Sequence, residues 1–221
     1  MHLCGSKKNY NILISDLLDH SLDYYFFSCN CQFTLLTTLM LGDQMLSIIE
    51  SIHNKNIIHR NIKPSNFLMG KGLRKHEVFI SSFYLAKKYI DPKTKLHIPY
   101  KKGINVEDTS LYDSIHKLSG EEQSRRDDIE ALGYILVYFL KGNLPWSEIK
   151  AKTKKEKIKK ILEIKISNSL DNLCQGCPKE FIDFIKYARD LKFEKRPDYA
   201  YLKKIFQKIS KNNNLHFDYN K

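Results

Sequence analysis

A segment that is apolar around a whole helical circumference places the strongest constraint on what this chain can fold into. Residues 126–140 carry apolar side chains on all sides of a predicted helix, at Ile129, Leu132, Ile135, Leu136, Val137 and Phe139. Such a helix is stable only where other elements cover it on every side. Gly142 and Asn143 supply a typical helix end. The sequence therefore predicts a globular domain assembled around this helix.

Length and composition agree with one folded domain. The chain has 221 residues, of which 42% are hydrophobic, with 9 Gly and 6 Pro. This is enough to bury one large core or two modest ones, and the composition is not that of a disordered chain. No apolar run reaches the length of a membrane span, and no secretory signal opens the sequence. We expect a monomer in the cytoplasm or nucleus, with no membrane span.

The chain has a formal net charge of +12, and seven of its lysines lie close together in one segment. Residues 153–164 are predicted to form a basic helix, and the lysines of this helix and its approach are Lys150, Lys152, Lys154, Lys155, Lys157, Lys159 and Lys160. A strongly basic surface suits acidic partners such as phosphopeptides, nucleic acid or anionic lipid. A lysine-rich solvated surface explains the same composition equally well.

Five cysteines are present, an odd number. Cys29 and Cys31 form a C-x-C pair, and Cys174 and Cys177 form a C-x-x-C pair, which together could supply a zinc site. The spacing is a weak zinc pattern, and Pro178 follows the last cysteine at a predicted helix start. We therefore expect free thiols.

The remaining elements are predicted from periodicity and from turn and cap residues. Residues 2–17 are expected to form a hairpin with strand 10–14 and a turn over 5–9, and a short helix over 21–27 follows with Ser21 as its cap. A long amphipathic helix begins after Thr34 and ends at 54–56. The other expected elements are short strands over 67–69 and 78–80, an irregular stretch over 83–118, and helices over 178–191 and 199–210.

A polar segment between the long helix and the first of these short strands carries the clearest chemical pattern. It runs His59-Arg60-Asn61-Ile62-Lys63-Pro64-Ser65-Asn66 and resembles the catalytic loop of protein kinases, H-R-D-x-K-x-x-N. The resemblance implies that Lys63 steadies a transferring phosphoryl group and that Asn66 binds magnesium. Asn61 stands where the family has its catalytic Asp, and a neutral amide cannot accept the substrate proton.

Further segments extend the resemblance over almost the whole chain, to the casein kinase I family of serine/threonine kinases. They are Ile57–Arg60, Asn66–Gly70, Leu85–Tyr89, His97–Tyr100, Glu122–Asp128, Leu132–Tyr134, Leu144–Trp146 and Pro197–Tyr199. The run E-Q-S-R-R-D-D followed by L-G-Y is the most specific of them. The resemblance implies an α+β, protein kinase-like fold. In it, residues 1–18 are a remnant N-lobe hairpin and hinge, 19–210 the helical C-lobe and 211–221 a polar tail.

The resemblance also implies roles for residues outside the loop. Asp128 would hold the backbone of the catalytic loop from the start of the central helix. Leu68 would lie under the adenine ring, and Leu17 and Leu18 match the linker that receives its edge. Each of these residues is equally compatible with a purely structural role.

The departures from the family fall on the positions that carry its chemistry. Ser82-Phe83-Tyr84 aligns with the D-F-G tripeptide, so a neutral hydroxyl replaces the magnesium-binding carboxylate, and Tyr84 replaces the Gly of the turn. Leu111 replaces an Arg for phosphorylated substrates, and Glu107 and Asp108 add acids nearby. Lys154 and Lys157 remain as candidate anion-binding residues, the latter matching a lysine of the family.

No Gly-rich loop, V-A-I-K-type lysine or partner glutamate is recognisable within these residues. We therefore expect a truncated, degenerate pseudokinase that uses neither ATP nor Mg²⁺ and binds protein or acidic, phosphorylated peptide partners, with weak polyanion binding. Three alternatives stay open at this point. They are an active serine/threonine kinase using ATP and Mg²⁺, a basic binding module presenting its helical lobe, and the product of a decaying gene copy.

Overall fold

A computed structural model describes residues 3–8, 10–106 and 109–219. The helices are α1 (Leu22–Ser28), α2 (Leu35–Asn54), α3 (Ile115–Leu118), α4 (Arg125–Lys141), α5 (Lys154–Ser167), α6 (Leu170–Leu173), α7 (Glu180–Asp190) and α8 (Tyr199–Asn212). The strands are β1 (Leu3–Lys7), β2 (Tyr10–Ile14), β3 (Ile57–Ile58), β4 (Phe67–Met69), β5 (Val78–Ile80) and β6 (Lys87–Lys88). They pair antiparallel as β1–β2, β3–β6 and β4–β5, so the predicted α+β class is confirmed.

Helix α4 lies at the centre of the core, as the sequence predicts. Its residues from Arg125 to Phe139 are all buried. Ser124 and Asp127 close its N-terminus as a capping box, and Gly142 ends it at a φ of +81°. Helices α2 and α7 pack directly against it, which supplies the cover that an all-round apolar helix requires.

Close helix packing explains why a glycine stands within α2. A Cβ atom at Gly42 would lie 2.7 Å from Cδ2 of Leu136 on α4, closer than real side chains approach. A Cβ atom at Gly133 on α4 would likewise lie 2.7 Å from Cγ1 of Ile185 on α7. The cost of about 1 kcal/mol that a helical glycine carries relative to alanine is therefore incurred where two helices need to approach closely.

The caps of the two N-terminal helices are those predicted. The Ser21 hydroxyl accepts a hydrogen bond from the backbone N–H of Tyr24 at the start of α1. The Thr34 hydroxyl does the same with Thr37 at the start of α2. Each side chain satisfies a backbone donor that the first helical turn leaves without an intrahelical acceptor.

The N-terminal hairpin forms, but its turn is shorter than predicted. Gly5, Ser6 and Lys7, expected in the turn over residues 5–9, belong to β1, and Lys7 pairs with Tyr10. The prediction is therefore wrong for these residues, because the ladder continues until only two residues remain between the strands. Residues 2 and 9 of the predicted hairpin lie outside the described residues. Ile12 and Ile14 are 44% and 47% exposed, as expected for two strands without a larger sheet.

The expectation that no apolar segment reaches membrane-span length needs a correction at α2. This helix has 20 residues and a mean hydropathy of 1.2 in its most apolar window, which is long and apolar enough to cross a membrane. Buried side chains such as Leu39, Met45 and Ile49 line its inner face, where it packs against α4 and α8. Core helices of globular domains commonly reach this hydropathy.

The C-terminal residues also pack more closely than the sequence suggests. Helix α8 continues to Asn212, two residues past its predicted end. Beyond it, Leu215 and Phe217 pack against the core. The Tyr219 hydroxyl donates a hydrogen bond to a carboxylate oxygen of Asp43 on α2, at 2.8 Å. The last described residues therefore lie along α2.

One lysine of the basic helix α5 faces the core. The helix runs three residues past its predicted end, and this last turn brings Lys165 to a fully buried position. Its Nζ lies 4.0 Å from the ring centre of Tyr134 and 4.4 Å from that of Trp146, and it donates to the backbone carbonyls of Leu111 and Asp113. Burial lowers the pKa of Lys165 to about 7. Lys165 thereby ties the segment before α3 to the centre of the domain.

Candidate functional site

One buried carboxylate, that of Asp128, holds the start of the polar loop over residues 59–66. Asp128, in the first turn of α4, accepts hydrogen bonds from the backbone N–H groups of His59 and Arg60, both at 2.8 Å. Arg60 adopts a φ of +66°, so the chain bends sharply at the residue whose N–H donates to the Asp128 carboxylate. These contacts match the role that the resemblance implied for Asp128.

A histidine and a tyrosine complete this anchor. Nε2 of His53, at the end of α2, lies 2.9 Å from the Asp128 carboxylate, and Nδ1 lies 2.6 Å from the hydroxyl of Tyr199 on α8. Because a carboxylate can only accept, the imidazole donates from Nε2. Burial raises the pKa of Asp128, but the hydrogen bond and charge of His53, with the contacts to His59, outweigh this, and the pKa lies below its ordinary value.

Sequence reasoning did not identify His53 and Tyr199 as part of the loop's support. A signal was available for the histidine, because His53 follows Ile49 by four residues on the apolar face of α2. A polar side chain on a buried face needs a hydrogen-bond partner. That partner lies 75 residues away in Asp128, and the sequence gives no means to identify it.

Asn61, which the sequence analysis aligned with the catalytic Asp of kinases, is almost fully buried, at 4% exposed. Its side-chain amide donates a hydrogen bond to the Tyr84 hydroxyl at 3.2 Å. Nδ2 of Asn66 donates to the Asn61 backbone carbonyl at 2.7 Å. Two residues that depart from the family pattern, Asn61 and Tyr84, are therefore in direct contact with each other.

Ser82 lies on the segment that leads into Tyr84. It is exposed and adopts left-handed backbone angles, with φ of 62° and ψ of 54°, which L-residues other than Gly, Asn and Asp visit rarely. On one side, Nε2 of His59 bonds to the Ser81 carbonyl at 2.9 Å. On the other, the ring of Phe83 lies edge-on to His59, with centroids 5.0 Å apart. The segment is thus packed on the loop, and Ser82 presents one neutral hydroxyl.

Lys63 faces an acidic residue that the sequence analysis did not include. Lys63 is partly buried, and Asp23 of α1 lies close enough for their charges to interact. Burial raises the pKa of Asp23, and the positive charge of Lys63 partly offsets this rise. Asp23 stands in the first turn of α1 after the Ser21 cap, a position where carboxylates are common for helix-dipole reasons alone. The sequence therefore gave it no functional signal.

The structure brings two of the three predicted adenine-site leucines into adjoining segments. Leu68 lies in β4 and bridges to Ser21, and the backbone N–H of Asp19 donates to the Met69 carbonyl at 2.9 Å. Leu18, directly before this contact, is partly buried, whereas Leu17 is 77% exposed. Leu18 and Leu68 therefore border the same edge of the domain.

The predicted anion-binding residues Lys154 and Lys157 are exposed in the first half of α5. Farther along that helix, Lys160 pairs with Glu156 at 2.7 Å and Lys159 lies 3.8 Å from Glu163. Leu111, which the sequence analysis aligned with an Arg of the casein kinase I family, is partly buried, and its carbonyl accepts a hydrogen bond from the Trp146 indole at 2.7 Å. The predicted acids Glu107 and Asp108 lie outside the described residues.

The cysteines are free thiols. Burial raises the pKa of Cys174 to about 12, which keeps it protonated and a poor metal ligand at neutral pH. Within residues 3–8, 10–106 and 109–219, no group of three or more His, Cys, Asp or Glu side chains is arranged to hold a metal ion. The described residues thus give the zinc alternative no support.

Most of the chain matches the sequence model of one known protein family. The protein kinase domain model matches residues 3–208, which includes the anchored loop, the segment carrying Ser82 and Tyr84, and every helix up to most of α8.

Proposed function

This chain belongs to the protein kinase domain family, and we propose that it is a casein kinase I-like pseudokinase that binds partner proteins and does not transfer phosphate. The observation that carries the proposal is the hydrogen bond between Asn61 and Tyr84. Asn61 supplies a neutral amide where kinases have the catalytic base. Tyr84 supplies a bulky side chain where they have the glycine that follows the magnesium-binding Asp by two residues. A general base typically contributes 10²–10⁴ in rate.

The donor set around the loop does not fit Mg²⁺-ATP. Magnesium prefers carboxylate and water oxygens in octahedral geometry. Asn66 and Ser82 offer only neutral oxygens, an amide and a hydroxyl; the Asn66 amide nitrogen donates to the Asn61 backbone carbonyl, which leaves the amide oxygen as the possible ligand. Neither residue neutralises charge on the metal or on the phosphates, which is the larger part of catalysis of phosphoryl transfer. The alternative, an active serine/threonine kinase, needs other groups to neutralise the charge on the metal and on the phosphates.

The proposed likeness to the casein kinase I family rests on the E-Q-S-R-R-D-D run of the sequence, and the side chains of this run are buried. Arg125 donates to the Glu194 carbonyl, and Arg126 donates to the Leu191 carbonyl at 3.2 Å. Both guanidinium groups thereby fix the segment between α7 and α8 to the start of α4. Since side chains of this motif are spent on packing, its presence supports a shared architecture and says nothing of activity.

Nucleotide binding tests the proposal directly. We expect ATP with Mg²⁺ to leave the melting temperature of the full chain unchanged to within about 1 °C at millimolar ATP, since stabilisation follows RT ln(1 + [L]/Kd). Differential scanning fluorimetry with and without Mg²⁺ measures this. The matched variant is Asn66→Ala. A magnesium-dependent rise of several degrees that disappears in this variant would contradict the proposal.

The exposed half of α5 is the surface proposed for acidic or phosphorylated partners. Reversing the charge of Lys154, Lys155 and Lys157 to Glu should weaken heparin binding about tenfold, because each exposed charge contact contributes about 0.2–1 kcal/mol. The interaction should also weaken with salt, which screens exposed charges over about 10 Å at 0.1 M. Elution from a heparin column measures both effects.

The control for this experiment reverses three exposed lysines elsewhere, Lys71, Lys93 and Lys95. It changes the net charge by the same amount and leaves α5 intact. Equal effects of the two triple variants would mean that heparin responds to net charge alone and that α5 is no specific surface.

A further inference from the structure

Three adjoining cavities form a groove along one face of α2. Their volumes are about 660, 440 and 370 Å³. The first two share Thr37, Leu41, Met69 and His76, and the last two share Gln44, His76 and Tyr219. The lining includes no residue of the loop over residues 59–66 and none of the three predicted adenine-site leucines, although Asp19 and Met69 follow two of these leucines directly.

The floor of the groove is one stripe of α2. Thr34, Thr37, Leu41, Gln44 and Ile48 recur at intervals of three and four residues, which places them on one helix face. At 1.5 Å per residue, this stripe is about 21 Å long. An extended peptide rises about 3.3 Å per residue, so about six residues span it.

The walls are held in place by hydrogen bonds. On one side, the Gln44 side chain donates to the His76 carbonyl at 3.0 Å and accepts from the Val78 N–H at 2.9 Å, which fixes the β4–β5 connection to α2. On the other side, the hydrogen bond from Tyr219 to Asp43 holds the C-terminal residues. A groove fixed in this way needs little ordering when a ligand binds, and this favours affinity.

The chemistry of the lining is apolar and acidic. Phe33, Leu41 and Met69 provide apolar surface in the first cavity. The charged residues among the described lining are the carboxylates Asp19, Asp43, Glu77 and Asp218 and a single ammonium, Lys75. Glu77 is paired with Arg74 at 2.7 Å. On a chain with a net charge of +12, this acidic lining favours a partner of opposite charge.

We propose that this groove binds an extended peptide segment of a partner protein that combines alternating aliphatic side chains with flanking arginines or lysines. Alternate side chains of an extended strand point the same way, so aliphatic residues two apart can enter neighbouring cavities. The basic residues face the carboxylates at the Asp43 and Asp218 end. This site is independent of the proposed pseudokinase function and has the opposite charge preference to α5.

Fluorescence anisotropy of the full chain tests the proposal. The probe is a fluorescein-labelled peptide with three arginines followed by alternating leucine and alanine, compared with a version in which serine replaces each leucine. Thr37→Trp fills the junction of the first two cavities and should weaken binding of the leucine probe at least tenfold. The matched control is Ser51→Trp, at an exposed position of α2 outside the lining, and it should leave binding unchanged.

A charge-neutralised pair tests the acidic end separately. Asp43→Asn with Asp218→Asn should weaken binding at least tenfold and flatten its salt dependence, and the amide oxygen at position 43 can still accept the hydrogen bond from Tyr219. Glu163→Gln with Asp190→Asn, of equal charge change, should have little effect. Melting temperatures of all variants check that they fold. Equal affinity for the leucine and serine probes, equal effects of groove and control variants, or no binding up to millimolar probe would each overturn the proposal.

Discussion

Replacing Asp128 with alanine is expected to destabilise the protein by about 3–5 kcal/mol, the size found when one partner of a buried, charged hydrogen-bond network is removed. The side chain is 2% exposed and receives bonds from His53, His59 and Arg60. Without the carboxylate, two buried backbone N–H groups and an imidazole lose their acceptor, and each such group costs about 1–3 kcal/mol when left unsatisfied. Urea denaturation monitored by circular dichroism measures the loss.

The pH dependence of this variant distinguishes an anchor role from simple loss of packing. The folded pKa of Asp128 is lowered, so its contribution to the free energy of unfolding is fully present above the unfolded pKa of about 3.9 and is lost as the pH falls through the folded value. The difference between wild type and Asp128→Ala should therefore shrink on acidification. Asp190→Ala, at an exposed position, should change stability by less than about 0.5 kcal/mol. A loss below about 1 kcal/mol for Asp128→Ala would contradict the anchor.

Restoring the two family acids, by Asn61→Asp with Ser82→Asp, is expected to leave kinase activity at background. A view based on motifs alone expects the double variant to gain a base and a magnesium ligand. The structure opposes this in two ways. Tyr84 stays in contact with position 61, and position 82 is exposed, so a carboxylate there is surrounded by water and is not held towards a metal, although Asp tolerates the left-handed backbone of this position. Phosphoryl transfer depends mainly on positioning and on charge neutralisation around the transferred group.

A radiolabelled ATP assay with casein or an acidic peptide measures this outcome. Adding Tyr84→Gly to the double variant separates the contribution of the tyrosine. Grafting a complete small lobe from an active relative onto the double variant should raise activity well above background, because the lobe supplies a Gly-rich loop and a phosphate-binding lysine. Clear phosphorylation by the ungrafted double variant would show that the two acids alone are sufficient, and that neither Tyr84 nor the lack of a phosphate-binding lysine and Gly-rich loop prevents catalysis.

The sequence by itself determined the elements whose signals are local. The all-round apolar pattern of residues 126–140 predicted a central helix, and Ser21 and Thr34 marked two helix starts that the structure keeps. Periodicity and capping depend on residues three or four apart, so they can be recognised without knowing the fold. The motif pattern likewise predicted the kinase family, which the match over residues 3–208 confirms. Local sequence signals did not predict the shorter turn of the N-terminal hairpin, because the register between its two strands decides where the turn begins.

Only the tertiary structure decided which distant residues meet. Asn61 and Tyr84 are separated by 23 positions and His53 and Asp128 by 75, and neither contact has a periodic signature. The sequence analysis likewise ended the basic helix at residue 164 and gave Lys165 no role, whereas the last turn of α5 buries this lysine against two aromatic rings. A sequence pattern reports which face of an element is apolar. What lies opposite that face depends on how the elements pack, and that packing decided the buried anchor at Asp128, the contact between Asn61 and Tyr84, and the groove along α2.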